Sequence, residues 1–368
     1  MLSIAQPVLC QEEKEALSSV IDSGWLTMGE RVVAFERAFA KLHGAEDAVA
    51  VNSCTAGLHL CLAALGIGPG DEVLVPSLTF VATANAVCYV GAIPVFVDIE
   101  AENLPHISLK DSQKKLTRQT RGVIVMHYGG YPVDMTSWRS FCDAYGLRLI
   151  EDAAHAPGLE QVGKLSDATA FSFFTNKNMT TAEGGMVMAA ESKTLEKMRR
   201  LRSHAMTSST LERHRGHASS YDVTMLGYNY RLDELRAAMG MVQLARLLEW
   251  NERRRQLSNF YRRLIYQSLP LVSVPFSGEK ASAAHLQVVL LPRGADRARI
   301  MNGLQESGIQ TSIHYPPIHC FSYYRSRFAE VGLPNTEEFF SKELTLPLHP
   351  LLSEDDCAFV VETLKKIL

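Results

Sequence analysis

From residue 48 to about residue 190, short apolar runs alternate with segments that repeat apolar residues at helical spacing. Strands are predicted at residues 48–51, 72–75, 93–97, 122–126, 147–152 and 168–174, and intervening helices at 56–65 and 135–145. Because a helix between two strands returns the chain to the same edge of a sheet, the strands are expected to run parallel. The pattern predicts an α/β fold in which a mainly parallel, mixed sheet lies between helices.

Polar groups follow several of these predicted strands. Asn52 and Pro76 come directly after two of them, Asp152 ends a third, and Lys177 follows the run 168–174. Ligands of such sheets bind beyond the carboxyl ends of the strands, so these residues are expected to converge on one crevice. Taken alone, a buried aspartate is as often a capping or ion-pair residue, and a lysine is usually on the surface.

An acid and a lysine at strand ends are the two groups that a pyridoxal phosphate site most needs. The lysine forms a Schiff base with the cofactor aldehyde, and the acid keeps the ring nitrogen protonated. Lys177 follows Asp152 by 25 residues and lies between an aromatic-rich strand and a Gly-Gly turn, an unusual position for a solvated lysine. An ordinary lysine pKa of about 10.4 is too high for an efficient base, so a desolvated site is expected to lower it.

The turn at residues 52–55 lies between a predicted strand and the helix 56–65. A strand, a small polar turn and a helix N-terminus can bind a phosphate, because the first backbone N–H groups are unpaired and the helix dipole favours an anion. A serine or threonine that simply caps the helix gives the same pattern. Both interpretations remain open from this segment alone.

Three segments of the chain closely resemble the sugar aminotransferase family called DegT/DnrJ/StrS: E-D-A-A-H-A at 151–156, F-S-F-F-T-N-K-N-M-T-T at 171–181 and E-G-G at 183–185. The resemblance continues from about Gly24 to the C-terminal region. It implies the aspartate-aminotransferase-like fold, fold type I of the pyridoxal phosphate enzymes. That fold has a large domain with the mixed sheet and a smaller C-terminal α+β domain.

The chain is therefore expected to divide into two parts. Residues 1–245 form the large cofactor-binding domain with an N-terminal arm, and residues 246–368 form a long connecting helix and the small domain. The long helix is predicted at 232–266, and it carries arginines at 253–255 and 262–263, which predict a solvated face. A polar, basic loop is predicted at 207–220.

The resemblance implies roles for residues around the cofactor. Lys177 would bind the aldehyde and shuttle the proton, Asp152 would face the ring nitrogen, and Phe80 would stack on the ring. The remaining implied cofactor contacts are a phosphate set of Thr55, Ala56 and Ser172, His155 near the phenolic oxygen, and Asn229 at the phosphate of the partner subunit. The last contact requires at least a homodimer with shared active sites. Cys54 stands where the family usually has glycine.

The resemblance also implies a substrate side of the site. Its residues are Trp25 in G-W-L-T-M-G, Tyr230 and Arg231 in G-Y-N-Y-R, and His314 and Tyr315 in H-Y-P-P-I-H. His314, His319 and Cys320 suggest a metal at first sight. The prolines between the histidines spoil the ligand spacing and no second ligand cluster is evident, so no metal is expected.

The implied reaction moves an amino group from an amino acid, usually glutamate, to a nucleotide-linked keto-6-deoxy sugar. The motifs at 24–29 and 151–156 look more like members that act at C4. Some relatives replace the lysine with histidine and remove a hydroxyl group, so Lys177 favours transamination. Three alternatives remain: amination at C3, a keto-cyclitol or other non-nucleotide substrate, and a non-catalytic regulator that binds pyridoxal phosphate.

Composition excludes several other classes of function. A net charge of −3 gives no reason to expect nucleic acid or an anionic membrane surface. The run 81–97 contains Asn85, Gly91 and Pro94 and is a poor membrane span, and early glutamates argue against a signal peptide. Seven scattered cysteines without a C-x-x-C pair suit a reducing compartment, so the cytoplasm is expected.

Overall fold

The computed structural model describes residues 1–207, 220–276, 281–328 and 331–368. The polar loop predicted at 207–220 lies almost entirely outside these residues. The strands are β1 Val49–Val51, β2 Glu72–Pro76, β3 Ile93–Val97, β4 Ile99–Ala101, β5 Leu104–Ile107, β6 Thr120–Met126, β7 Arg148–Asp152, β8 Ala168–Ser172, β9 Gly185–Ala189, β10 Gln287–Leu290 and β11 Glu343–Leu346.

The helices predicted at 56–65, 135–145 and 232–266 are all present, at Cys54–Ala64, Met135–Tyr145 and Glu234–Ser268. The described helices are α1 Gln11–Ser23, α2 Glu30–His43, α3 Cys54–Ala64, α4 Ala82–Tyr89, α5 Leu109–Lys114, α6 Met135–Tyr145, α7 Ser192–Leu201, α8 Glu234–Ser268, α9 Arg297–Glu306, α10 Ser322–Arg325, α11 Pro334–Lys342 and α12 Glu354–Ile367. Short 3-10 turns lie at Tyr128–Gly130 and Ile318–Cys320. No helix within the described ranges is long and apolar enough to cross a membrane.

The central sheet has seven strands in the order β1-β9-β8-β7-β6-β2-β3. The pairs from β3 through β2, β6 and β7 to β8 are parallel, whereas β9 is antiparallel to both of its neighbours. The predicted mainly parallel mixed sheet is confirmed. Because the carboxyl ends of β6, β7 and β8 meet at one edge, Met126, Asp152 and Ser172 end side by side.

Both faces of this sheet are covered by helices. Val73 and Val75 of β2 pack in a core cluster with α3, α4 and α7, whereas Leu74 between them packs with α6 on the opposite face. The same alternation sends Phe171 of β8 against α2 and α8. Side chains of successive strand residues point to opposite faces, so a strand buried on both sides is an almost continuous apolar run. This is why the strands were visible in the sequence.

A second core lies beyond the central sheet. The antiparallel pair β10 and β11 packs with the second half of α8, with α9 and with α12, around Leu257, Tyr261, Val289, Leu344 and Val361. We propose that these elements are the smaller C-terminal domain. The predicted boundary between residues 245 and 246 falls inside the uninterrupted helix α8, which takes part in both cores.

The prediction of a solvated arginine face on α8 holds for Arg263, which is exposed, but is wrong for the other arginines, which are buried or partly buried. Arg254 is only 2% exposed and donates to the backbone oxygen of Leu348 at 2.8 Å. Arg253 and Arg262 donate to the backbone oxygens of Leu352 and Pro275 at 2.8 and 2.7 Å. The second half of α8 lies under irregular segments whose carbonyl groups lack strand partners, and the guanidinium groups satisfy them.

Candidate active site

A cavity of about 490 Å³ opens at the carboxyl edge of β6, β7 and β8. Met126, Asp152 and Ser172 reach it from the strand ends, and Lys177 reaches it from the turn between β8 and β9. The predicted convergence on one crevice therefore holds for Asp152 and Lys177. Asn52 and Pro76 are not in its wall; the residues that follow them, Ser53 to Thr55 and Phe80, are.

A larger cavity of about 680 Å³ lies elsewhere, beside the C-terminus of α2. None of the predicted site residues lines it. One of its charged groups, Arg199, already pairs with Asp47 at 2.5 Å and with Glu36 at 2.9 Å. Size alone does not identify a site, and the chemical groups favour the smaller cavity.

Asp152 ends β7 and is almost fully buried. Its Oδ2 accepts a hydrogen bond of 2.7 Å from the Thr83 hydroxyl, and its Oδ1 accepts one of 3.1 Å from the Ala154 amide. Burial raises the pKa of Asp152, while these two bonds and the charge of Lys177 act in the opposite direction. A buried carboxylate of this kind is best stabilised by a cationic group in the cavity.

Lys177 lies on a turn that is anchored from behind. The side-chain amide of the next residue, Asn178, donates to Ala283 O and to Asn251 Oδ1, both at 2.7 Å. Burial lowers the pKa of Lys177 from 10.5 to about 8, against the raising effect of Asp152. The expected desolvated lysine is therefore present, and a substantial fraction of its amine is neutral near physiological pH.

The start of α3 forms one end of the cavity. Ser53 caps this helix, because its hydroxyl accepts from the Ala56 amide at 3.1 Å. Thr55 and Ser172 line the cavity, whereas Ala56 is not in its wall. A side chain at Gly185 would place its Cβ 2.8 Å from the Cys54 amide nitrogen, so glycine is what lets β9 pack against this turn.

Cys54 presents a neutral thiol to the same end of the cavity. Burial raises its pKa well above 9.0, and the negative charge of Asp152 acts in the same direction. A thiol in this state is a poor nucleophile and a poor metal ligand. Its bulk, which the usual glycine would lack, is what it adds to the cavity wall.

Aromatic rings and histidines form the opposite wall. Phe80 is 54% exposed, so it is not a core residue, and its ring centroid lies 5.8 Å from that of Tyr315. His155 is buried and accepts from the Gly129 amide on Nδ1 at 3.3 Å, so its proton lies on Nε2, 3.0 Å from the Tyr315 hydroxyl. Burial lowers the pKa of His155 well below 6.5 and keeps the ring neutral. His314 completes this wall.

Besides Ala56, four predicted residues, all within the described ranges, lie away from the cavity wall: Trp25, Asn229, Tyr230 and Arg231. The Tyr230 hydroxyl lies 2.9 Å from Nδ1 of His59. Sequence reasoning missed Thr83, Asn178 and Glu343, which support Asp152, Lys177 and His314 from behind. Adjacency to Lys177 was the one available signal for Asn178; no local signal marks the other two.

The residues of the cavity fit pyridoxal phosphate. The cofactor offers a ring nitrogen for Asp152, an aldehyde for Lys177 and a phosphate for the first turn of α3 beside Ser172. The cavity volume lies in the range of small-molecule sites. Asn176 adds a buried side-chain oxygen without a hydrogen-bond partner in this wall, which a ligand could satisfy.

One cluster near the N-terminus brings potential metal ligands close together. Among the described residues, Cys10, Glu12 and Glu13 have ligand atoms within 4.8 Å of one another. Arg246 contacts Glu12 at 2.7 Å and Glu13 at 3.6 Å, so its charge already neutralises this group. Nδ1 of His319 lies 2.7 Å from the Ser77 hydroxyl oxygen, so this ring nitrogen already has a hydrogen-bond partner.

Comparison with known proteins agrees with this chemistry. Residues 7–365 match the DegT/DnrJ/EryC1/StrS aminotransferase family. The chain is 37% identical over 378 aligned positions to the spore coat polysaccharide biosynthesis protein SpsC of Bacillus subtilis (strain 168), covering 100% of this chain and 97% of that protein.

Solved structures give the same answer. PseC of Helicobacter pylori, an aminotransferase involved in the biosynthesis of pseudoaminic acid, superposes with a TM-score of 0.91 at 29% identity, over 100% of this chain and 98% of the other. Spr1654 of Streptococcus pneumoniae is 28% identical and covers 99% or more of this chain in both forms. Its PMP-form superposes with a TM-score of 0.90 over 99% of that chain, and its PLP-form with 0.89 over 98%. The chain therefore belongs to the DegT/DnrJ/EryC1/StrS aminotransferase family and is a sugar aminotransferase that uses pyridoxal phosphate.

Proposed function

We propose that the protein transfers an amino group from an amino acid, glutamate, to C4 of a nucleotide-linked keto-6-deoxy sugar. The observation that carries the transamination is the meeting of Lys177 and Asp152 in one cavity beside the start of α3. The resemblance of the motifs at 24–29 and 151–156 to C4-acting members supports the position on the sugar. The polysaccharide named for SpsC and the pseudoaminic acid named for PseC support a product in amino-sugar biosynthesis.

Lys177 is the proposed base. When bound, pyridoxal phosphate supplies an aldehyde for the amino nitrogen and a ring that accepts the electrons of the broken Cα–H bond. The neutral amine of Lys177 takes the proton from the donor Cα, and the resulting ammonium returns a proton at the adjacent cofactor carbon. The lowered pKa of Lys177, about 8, matches a group that must both take and give a proton near neutral pH.

Asp152 is the proposed partner of the ring nitrogen. Its two hydrogen bonds, from Thr83 and from the Ala154 amide, fix the orientation of the carboxylate before the ring binds. A fixed negative charge there keeps the ring nitrogen protonated and costs no reorganisation during the reaction. Thr55 and Ser172 would hold the phosphate, Phe80 would cover the ring, and the neutral His155 would serve its phenolic oxygen.

We further propose a homodimer with shared sites. Asn229, Tyr230 and Arg231 lie away from the cavity of their own chain, which supports a role at the cavity of a partner. Exposed apolar side chains support a covered surface as well: Phe174 on the cavity wall is 44% exposed and Leu226 is 83% exposed. All seven cysteines are free thiols, which supports the cytoplasm as the compartment.

The test is a spectroscopic assay in two steps. The purified protein is loaded with pyridoxal phosphate, and we expect a visible absorption band that bleaches when glutamate is added. Keto-sugar nucleotides are then screened for recovery of the band, with the product analysed for the position of the new amine. A band that glutamate leaves unchanged would reject glutamate as the donor. Recovery with free keto-sugars or keto-cyclitols, and with no sugar nucleotide, would reject the nucleotide-linked substrate.

A further inference from the structure

The segment at residues 312–315 carries two side chains of the cavity wall and is held from behind by β11. Ser312 and Thr345 exchange backbone hydrogen bonds of 2.9 and 3.2 Å. The Tyr128 hydroxyl donates to the backbone oxygen of His314. The position of the His314 ring in the cavity therefore depends on the small C-terminal sheet, far from Lys177 in sequence.

Glu343 is the charged group of this support. It is 0% exposed, and its two carboxylate oxygens serve two donors. Oε2 accepts from the His314 amide at 3.0 Å, and Oε1 accepts from the Thr345 hydroxyl at 2.6 Å. The Thr345 oxygen also lies 2.9 Å from Nδ1 of His314.

The direction of these hydrogen bonds follows from the number of protons. When Glu343 is ionised, its carboxylate can only accept, so the single hydroxyl proton of Thr345 points to Glu343. The Thr345 oxygen must then accept from His314, and the His314 proton lies on Nδ1. Burial lowers the pKa of His314 to about 4, so the ring is neutral and carries this one proton. Its Nε2 is left as a hydrogen-bond acceptor.

We propose that Glu343, in its ionised form, is a positioning residue that acts through Thr345 to fix the tautomer of His314, so that His314 Nε2 accepts a hydrogen bond from a hydroxyl of the sugar substrate. The contact between His314 and the sugar rests on the proposed function, whereas the tautomer of His314 does not depend on it. A sugar presents hydroxyl donors, and a ring nitrogen held as an acceptor distinguishes a hydroxyl from an acceptor-only group at the same place.

The arrangement also predicts a dependence on pH. The groups that face the Glu343 carboxylate are Arg297, Tyr128, Tyr315, the His314 amide and the Thr345 hydroxyl. Burial raises its pKa to about 8. Above that pH, the ionised carboxylate accepts the hydrogen bond from the Thr345 hydroxyl. Below it, the protonated acid can donate to Thr345, whose hydroxyl then turns to Nδ1 and moves the His314 proton to Nε2.

The direct experiment reads the tautomer by NMR. Histidine is labelled with 15N, and the His314 ring among the 12 histidines is assigned with a His314→Asn variant. At about pH 9, we expect Nδ1 of His314 to carry the proton in the wild type and in Thr345→Ser, which keeps the hydroxyl. In Thr345→Val, the proton of the His314 ring should move to Nε2, because Nδ1 has lost its acceptor. In Glu343→Gln, which cannot ionise, the tautomer of His314 should no longer change with pH. A proton on Nε2 in the wild type, or an unchanged tautomer in Thr345→Val, would overturn the inference.

A kinetic experiment tests the contact between His314 and the sugar separately. In single-turnover assays at about pH 9, Thr345→Val should lower kcat/KM for the keto-sugar half-reaction about tenfold and leave the glutamate half-reaction unchanged, and Thr345→Ser should restore it. An unchanged keto-sugar half-reaction, together with the expected tautomer shift, would overturn the contact between His314 and the sugar. If no keto-sugar nucleotide reacts at all, the proposed function fails while the NMR result still decides the tautomer.

Discussion

The hydroxyl of Thr83 donates a 2.7 Å hydrogen bond to Asp152 Oδ2 from 69 residues away in the chain. Thr83 belongs to α4, and it is fully buried. The bond opposes the effect of burial and lowers the pKa of Asp152. The carboxylate that we propose faces the cofactor is therefore held by a residue that is not itself in the cavity wall.

Removal of this hydroxyl should impair the reaction without removing the cofactor site. In Thr83→Val the pKa of Asp152 should rise, because a bond that favours the carboxylate is lost, and kcat should fall about tenfold. The acid limb of the pH–rate profile should move to higher pH. Thr83→Ser is the matched control and should stay close to the wild type. An acid limb at the wild-type pH would show that Thr83 does not control Asp152.

Asp152→Asn tests the charge itself. The side chain keeps its size, but a neutral amide cannot stabilise a protonated ring nitrogen, so kcat should fall by about 10²- to 10³-fold. The visible band with pyridoxal phosphate should remain. Near-normal turnover would mean that another group protonates the ring.

Lys177→Ala should abolish the visible band of the loaded protein and lower turnover by about 10⁴-fold, because both the attachment point and the base are lost. The control is Lys164→Ala, which changes an exposed lysine at the larger cavity and should leave turnover unchanged. Far-UV circular dichroism should match the wild type for both variants. Retained transamination in Lys177→Ala would reject the assignment.

The buried amine of Lys177 also affects stability. Its pKa is about 8 in the folded chain and 10.5 without burial, so between these values the unfolded chain binds more protons and the free energy of unfolding rises with pH. Urea unfolding of the cofactor-free protein at pH 8 and near pH 10 should reveal this rise. Lys177→Met should lack it and be more stable than the wild type at pH 8. Parallel pH dependences in the two proteins would contradict the lowered pKa.

Shared active sites predict complementation between two inactive variants. Asn229→Ala and Lys177→Ala should each be nearly inactive. Coexpressed, they form mixed dimers in which one site has both Lys177 and Asn229, so about a quarter of the wild-type activity should return. Recovery that is no greater than the sum of the separate variants would exclude a role of Asn229 in the partner's site.

Arg254 offers a test of the second core. Arg254→Met leaves the Leu348 backbone oxygen without its donor in a buried place, which should lower the free energy of unfolding by about 1–3 kcal/mol. Arg263→Met changes an exposed arginine of the same helix and should have an effect within about 0.5 kcal/mol. Equal effects in urea unfolding would indicate that the buried hydrogen bond does not stabilise the fold.

The sequence by itself determined the layered sheet and the central pair of the site. Strands buried on both faces must be apolar runs, and the polar residues that interrupt them must stand at their ends, so Asp152 and Lys177 were visible as a pair. The predicted helix at 135–145 coincides with Met135–Tyr145 for the same reason, because its apolar residues repeat at helical spacing.

Only the tertiary structure decided which groups support that pair. Thr83 and Glu343 lie in elements that no local pattern links to the cavity. The hydrogen-bond partners of Asn178 are Asn251 and Ala283, which are far from it in sequence. A hydrogen bond between residues distant in sequence leaves no periodicity. The antiparallel direction of β9 and the burial of Arg254 likewise depend on contacts between residues that are distant in sequence. A run of arginines has the same sequence whether its side chains are solvated or buried against unpaired carbonyl groups. Only the packing of α8 between two cores distinguishes the two cases.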